Sequence, residues 1–261
     1  MKTILADLHI HTALSPCASR QMLPRKIVHT CLDRGLSMIA ICDHNSAANV
    51  CAVTEAARQE TGKALIVVPG IEVTTREEVH VLGLFPDIGG ALAVSESILE
   101  TLPGMRLTEE PSIPATANPG NGQWILDWEG RRTAMERHLL TAASGYSLEE
   151  AVNLIRLHGG FAVAAHVDRR AFSILGQLGF FPETPRFFAA EISAAGVAHI
   201  RRGKLQIEEI QTHDLPLISG SDSHSPEEIA CSCTVFRVAE PCFAELVLAI
   251  QGVGSRRCQI A

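Results

Sequence analysis

Short, nearly continuous apolar runs alternate along the chain with stretches whose apolar positions recur at helical spacing. Strand-like runs fall at Ile4–Ile10, Met38–Cys42, Leu65–Glu72, Val79–Phe85, Phe161–Val167, Phe187–Ile192, Leu215–Ser219 and Cys233–Val238. Between them Pro24–Arg34, Ala47–Thr61, Leu148–His158, Val197–Thr212 and Pro241–Gln251 are expected as helices. Pro24 opens one of these and Gly35 follows its end, the usual asymmetry of helix termini. Ser147 with Glu150 has the form of a capping box. Strand–helix alternation with apolar strands predicts a parallel sheet covered by helices, and with this many strands a barrel is the natural closure. Barrels of this kind gather reactive groups at the C-terminal strand ends.

Residues 100–145 break the pattern. Pro103–Gly122 is rich in Pro, Gly, Thr and Glu without a period, and Gln123–Arg132 reads as a short hairpin turning at Glu129-Gly130. Loops of that length inside a domain are lids or bland excursions, and both readings stand. The 261 residues are otherwise expected to form one α/β domain.

Carboxylates and imidazoles stand where the apolar runs end. They are Asp7-Leu8-His9-Ile10-His11, Asp43-His44-Asn45, Glu72 with His80, His166-Val167-Asp168-Arg169 and Asp222-Ser223-His224. His9 and His11, two apart on a strand, point to one face and can share a cation. Alone, such a pair is as readily a polar strand edge. Glu72 closes an apolar run, where an unpaired carboxylate would be costly. Together the five signatures are the donor set of a metal cluster. Asp7 and Asp43 precede ligand positions and either orient imidazoles or solvate strand ends. Glu191, another acid at a strand end, is a candidate to support the site or touch substrate, while His29, His138, His158, His199 and His213 are expected on the surface or in the core.

The five motifs, in this order, resemble those of the PHP (polymerase and histidinol phosphatase) family from Asp7 to about Val238. The resemblance implies a distorted (β/α)7 barrel with the metal site at the C-terminal strand ends and an insertion near residues 100–145. It also implies two or three divalent ions, of zinc, manganese or iron. A first ion would take His9, His11, Glu72 and Asp222, and Glu72 would bridge to a second held by His80 and His166. A third would take His44, His224 and a residue after the HxH motif. Many family members have Asp or His there; here Cys17 is the obvious donor, and a thiolate favours zinc or iron. The resemblance also implies catalytic roles for Glu72 and Asp222 and a phosphate-binding role for Arg169, with Arg170 its nearest competitor.

The activity so implied is hydrolysis of a small phosphate ester, a monoester or diester of the nucleotide or sugar phosphate kind, by a hydroxide bridging two ions. Two alternatives keep the metals: C–N or C–O hydrolysis of the amidohydrolase-like kind, and a non-catalytic docking module. No polymerase-like extension is expected, which weighs against the last. Lys and Arg number 22 against 29 Asp and Glu, a net charge of −7, so an extended nucleic-acid surface is not expected. No apolar run reaches the roughly 18 residues that span a bilayer, and Asp7 and His9 interrupt any leader-like start, so a cytoplasmic protein without a membrane partner is expected. Eight cysteines without a CxxC pair exclude a zinc ribbon or thioredoxin motif. Cys31, Cys42 and Cys51 are expected to pack as small apolar residues, and Cys231 and Cys233 to share one face of a strand.

Overall fold

The computed structural model describes residues 1–59, 65–104, 122–205, 210 and 212–261. Strands β1 (Lys2–Ile10), β2 (Met38–Ile41), β3 (Ile66–Thr74), β4 (His80–Leu84), β7 (Phe161–Ala164), β8 (Ala189–Ile192), β9 (Leu217–Ser219), β10 (Thr234–Val238) and β11 (Arg257–Ile260) form one sheet, in the order β11-β10-β1-β2-β3-β4-β7-β8-β9. A separate hairpin joins β5 (Trp124–Leu126) to β6 (Arg132–Met135). Helices α1 (Pro24–Asp33), α2 (Val50–Gln59), α3 (Ile88–Leu99), α4 (Leu148–Leu157), α5 (Ile174–Leu178), α6 (Ala194–Arg201) and α7 (Phe243–Ile250) connect the strands.

The two ends of the sheet meet. The Ser219 amide of β9 donates to Thr234 Oγ1 of β10, which in turn donates to the Ser219 carbonyl. Just beyond β9, Ser223 bridges Ile10, and the His11 amide donates to the Ser223 carbonyl. The result is a distorted, nearly closed barrel, as the motif resemblance implied. One buried cluster draws on β1 (Ala6, Leu8), β2 (Met38, Ala40), β3 (Val68), β4 (Leu82), β7 (Val163), β8 (Ala189), β9 (Ile218) and β10 (Phe236). Only a barrel interior brings eight strands to one cluster. Alternate residues such as Ile39 and Ile41 join the second cluster, with Ile27, Val28 and Val53 of the helices.

The sheet is not uniformly parallel. β4 runs antiparallel to both β3 and β7, and β10 antiparallel to β1. The apolar β4 run looks the same in either direction, so its sequence could not reveal the reversal. Reversal puts the first residue of β4, His80, at the end of the barrel where β1, β2, β3, β7 and β9 finish.

Helix ends follow their local chemistry. Pro24 occupies the first turn of α1, and Gly35 beyond it takes φ +75°. The Ser147–Glu150 capping box of α4 forms in both directions. Helix α3, with two glycines, and the short α5 escaped the periodicity, as did β11. The expected helix over Val197–Thr212 instead begins at Ala194 and ends at Arg201; residues 206–209 and 211 lie outside the described residues. Cys31 and Cys42 are buried but Cys51 is exposed, contrary to expectation. Cys231 is exposed and Cys233 buried, because both precede β10 rather than alternating along it.

Of the 100–145 segment, residues 105–121 lie outside the described residues. The hairpin is found, with its second strand reaching Met135. It is tied to the barrel. Asn49 donates from Nδ2 to the Trp124 carbonyl and accepts the Leu126 amide. Asn45 donates to the Leu140 and Ala142 carbonyls and accepts the Thr74 amide, each at 2.9 Å. Asn45 has φ +52°, a conformation that asparagine tolerates better than most residues. Replacing it by alanine strands three backbone groups. Asn45→Ala is expected to cost about 2–4 kcal/mol in urea unfolding and to expose residues 122–142 to proteolysis.

Candidate metal centre

Strict alternation along β1 would put His9 and His11 on the face opposite Ala6 and Leu8. The register between β1 and β2 shifts between Asp7 and Ile10. Accordingly Leu8 belongs to the interior cluster and Ile10 to the helix-facing one, with His9 and His11 turned inward at the mouth. His166 and Asp222 are turned by left-handed backbone, φ +28° and +50°. Such conformations cost about 1–3 kcal/mol each and gather at functional sites. Gly220 is required beside them, since a Cβ there would stand 2.7 Å from both His9 Cβ and Glu191 Oε1.

Glu72, fully buried, lies at the centre. Its Oε1 is 2.9 Å from His80 Nδ1, 3.2 Å from His166 Nε2 and 3.4 Å from His9 Nε2. Its Oε2 is 2.9 Å from His44 Nδ1 and 3.4 Å from His11 Nε2. Asp222 Oδ1 completes one group, 3.0 Å from His11 Nε2 and 3.3 Å from His9 Nε2. Donor atoms of His9, His11, Glu72 and Asp222 thus converge, as do those of His44, Glu72 and His80, and those of His11, His44 and His224. His44 therefore faces Glu72 and His80 as well as the His224 side.

Cys17 stands near His44 and His224, and both imidazoles act on its thiol. The Ser19 amide donates to the His224 carbonyl at 2.7 Å, which fixes the loop carrying Cys17 against that motif. Burial opposes ionisation of the Cys17 thiol, but His224 and His44 bring it down to about 7. Arg169 Nη2 is 2.6 Å from Asp222 Oδ2, with its side chain 44% exposed. Arg169, Asp222, His224 and Cys17 line an open pocket of about 660 Å³, which His199 and Cys231 also border. His199 was expected on the surface or in the core, and no motif marks it for the pocket.

These donors suit divalent cations. His44 Nδ1, Glu72 Oε2 and His166 Nδ1 are buried without a hydrogen-bond partner. An imidazole nitrogen and a carboxylate oxygen 2.9 Å apart yet unbonded are aimed at a common point rather than at each other. The charges agree. Burial raises the carboxyl of Glu72, yet His80, His9 and His44 hold it well below its ordinary range. Asp222 is likewise lowered against its burial by His9 and His11. Burial disfavours protonated His9, but Glu191, Asp222 and Glu72 raise it well above the ordinary imidazole value, while burial lowers His11 and His80.

Surrounding groups hold the donors in place. Glu191 Oε2 is 3.0 Å from His9 Nδ1 and accepts the His166 amide at 3.1 Å, so it supports two of the imidazoles. Asp43 does not touch an imidazole. It accepts from Ser15 Oγ, which lies 2.8 Å from His11 Nδ1, and from the Thr12 amide and hydroxyl. Ser15 went unremarked in the sequence, although it stands four residues past His11. Asp7 accepts the Ser221 and Ala230 amides, clamping the loop of Asp222, and burial pushes its carboxyl up to about 6.

The comparisons agree with this arrangement. A PHP-associated family profile matches residues 206–252. The chain is 24% identical to the 5'-3' exoribonuclease Rnm of Escherichia coli over 85% of its own length and 86% of that protein's. It is 24% identical to a 3',5'-nucleoside bisphosphate phosphatase of Chromobacterium violaceum, over 85% and 88% of the two chains.

The chain is similar to PHP proteins.

The fold has the same standing. The lesion-specific endonuclease of Pyrococcus furiosus, endonuclease Q, superposes with a TM-score of 0.63 at 18% identity. The match covers 98% of this chain and 58% of that one, so the chain spans little more than half of the endonuclease. No helix among the described residues is long and apolar enough to cross a membrane.

Support of His9 by Glu191 makes a direct prediction. Glu191→Gln keeps the volume but removes the negative charge facing His9 Nδ1. Its metal affinity is expected to fall 10–100-fold by chelator competition, with the urea unfolding midpoint of the metal-free protein little changed. Unchanged affinity would exclude that role.

Proposed function

We propose that this protein is a metal-dependent phosphoesterase acting on nucleotide phosphates, either free or at the end of a nucleic acid. Glu72 carries the proposal: fully buried, it faces His80, His166 and His9 with Oε1 and His44 and His11 with Oε2, and Oε2 has no hydrogen-bond partner. In this reading His9, His11, Glu72 and Asp222 hold a first divalent ion, and Glu72, His80 and His166 a second. His44, His224 and Cys17 hold a third. The thiolate favours zinc or iron over manganese there. When bound, such ions acidify water toward neutral pH and polarise phosphoryl oxygens.

The protein's own groups do the rest. Glu72 and Asp222 fix the spacing and charge of the centre. Arg169, half-exposed on the pocket, leaves Asp222 Oδ2 to pair with non-bridging phosphate oxygens as charge grows on them. The hairpin, anchored by Asn45 and Asn49, serves as a fixed wall of an insertion within one barrel domain. Eight unpaired cysteines fit a cytoplasmic setting.

The substrate class comes from the relatives. Their names include an exoribonuclease, a nucleoside bisphosphate phosphatase and a lesion-specific endonuclease. Nucleic acid therefore returns as a substrate, against the expectation drawn from net charge. A pocket site can take a strand end without an extended basic face.

The test is release of inorganic phosphate or mononucleotide from nucleoside bisphosphates and 5'-phosphorylated oligoribonucleotides by metal-loaded protein. Asp222→Asn and Glu72→Gln are expected to lose at least about 10³-fold in kcat/KM, a transition-state loss of about 4 kcal/mol, while staying folded. Retained activity in either variant would refute the assignment. Cys17→Ala is expected to lower metal content by elemental analysis without unfolding the chain; full content would remove Cys17 from the third group.

A further inference from the structure

We infer that Phe172 is a stacking platform for the nucleobase of the substrate, an inference that rests on the nucleotide-phosphate function proposed above. Phe172 lies in the loop between β7 and α5, three residues after Arg169. Its backbone has φ +58°, and the residue remains 43% exposed. For a bulky residue that conformation is unfavourable, and phenylalanine has no short polar side chain to relieve it by a local hydrogen bond. Burial does not compensate, because the residue is exposed.

What the conformation achieves is placement. The ring stacks on His80, with centroids 4.8 Å apart and planes inclined by 19°. The Phe172 carbonyl accepts the His80 amide at 2.9 Å. The loop is held from both sides: the Arg169 amide donates to the His166 carbonyl, Ser173 Oγ to the Arg169 carbonyl, and the Gly176 amide to Ser173 Oγ. Gly176 has no room for a side chain, since a Cβ there would strike the Arg170 carbonyl. One rigid loop therefore carries a cation against Asp222 and a flat aromatic surface over His80, two sides of one metal centre. A nucleotide has the matching pair of groups, an anionic phosphate and a π-face within one small molecule. Aromatic platforms of this kind accept any base, which suits an enzyme acting on varied termini.

The alternative role is that Phe172 merely covers His80. Binding separates the two without turnover. The 5'-methylenephosphonates of adenosine and of methyl β-D-ribofuranoside (the ribose probe) carry no cleavable phosphate ester and differ in whether C1' bears the base or a methoxy group. Their dissociation constants would be measured by calorimetry on metal-loaded wild type, Phe172→Ala and Phe172→Trp, with metal content determined for each. The wild type is expected to prefer the adenosine probe. Phe172→Ala should bind it about tenfold more weakly while holding the ribose probe and its metals unchanged, and Phe172→Trp should restore the preference.

Equal weakening toward both probes, or loss of metal, would make Phe172 a cover for His80 and overturn the inference. A base preference that survives in Phe172→Ala would overturn it too, as would a wild type with no preference. Failure of the wild type to bind either phosphonate would instead sink the phosphoesterase reading and the platform with it.

Discussion

A carboxylate with no access to water holds this molecule's functional end together. Glu72 is fully buried, and the groups facing it are imidazoles from β1, β4 and the segments after β2 and β7. A lone buried carboxylate would be neutral or would prevent folding. Here positive charge, from protonated imidazoles or from cations, compensates it. The barrel is the means of delivery, because only closure lets donors so far apart in sequence meet at one side chain.

Regular secondary structure does not by itself aim those donors inward. The register shift in β1 turns His9 and His11, left-handed backbone turns His166 and Asp222, and the reversed β4 brings His80 to the mouth from its first residue. These are local departures from ideal geometry, and the interior packing of Leu8, Val68, Leu82 and Val163 below them supplies the rigidity that sustains them. Glu191, Ser15 with Asp43, and Asp7 then fix the rings and the Asp222 loop through charge-assisted hydrogen bonds.

Much of this was legible beforehand. Eight strands of the main sheet and the α1 and α4 boundaries followed from periodicity, because strands buried on both faces leave continuous apolar runs. The donors were recognisable because histidines and acids at the ends of such runs have no packing reason to be there. The reversal of β4 was not legible, since an apolar strand carries no mark of its direction. Nor was the switch of face in β1, which depends on pairing with β2. Ser15 and Phe172 act through position in a loop, and a serine or phenylalanine in a loop has no distinctive pattern. His199 borders the pocket from α6, and a lone histidine on a helix carries no mark of that.

The most direct test of the account is anomalous diffraction from crystals of the metal-loaded protein, collected at the absorption edge of the bound metal. The account predicts separate peaks beside Glu72, one among His9, His11 and Asp222 and one beside His80 and His166, both in contact with its carboxylate. A single peak, or peaks that leave Glu72 out of contact, would contradict it.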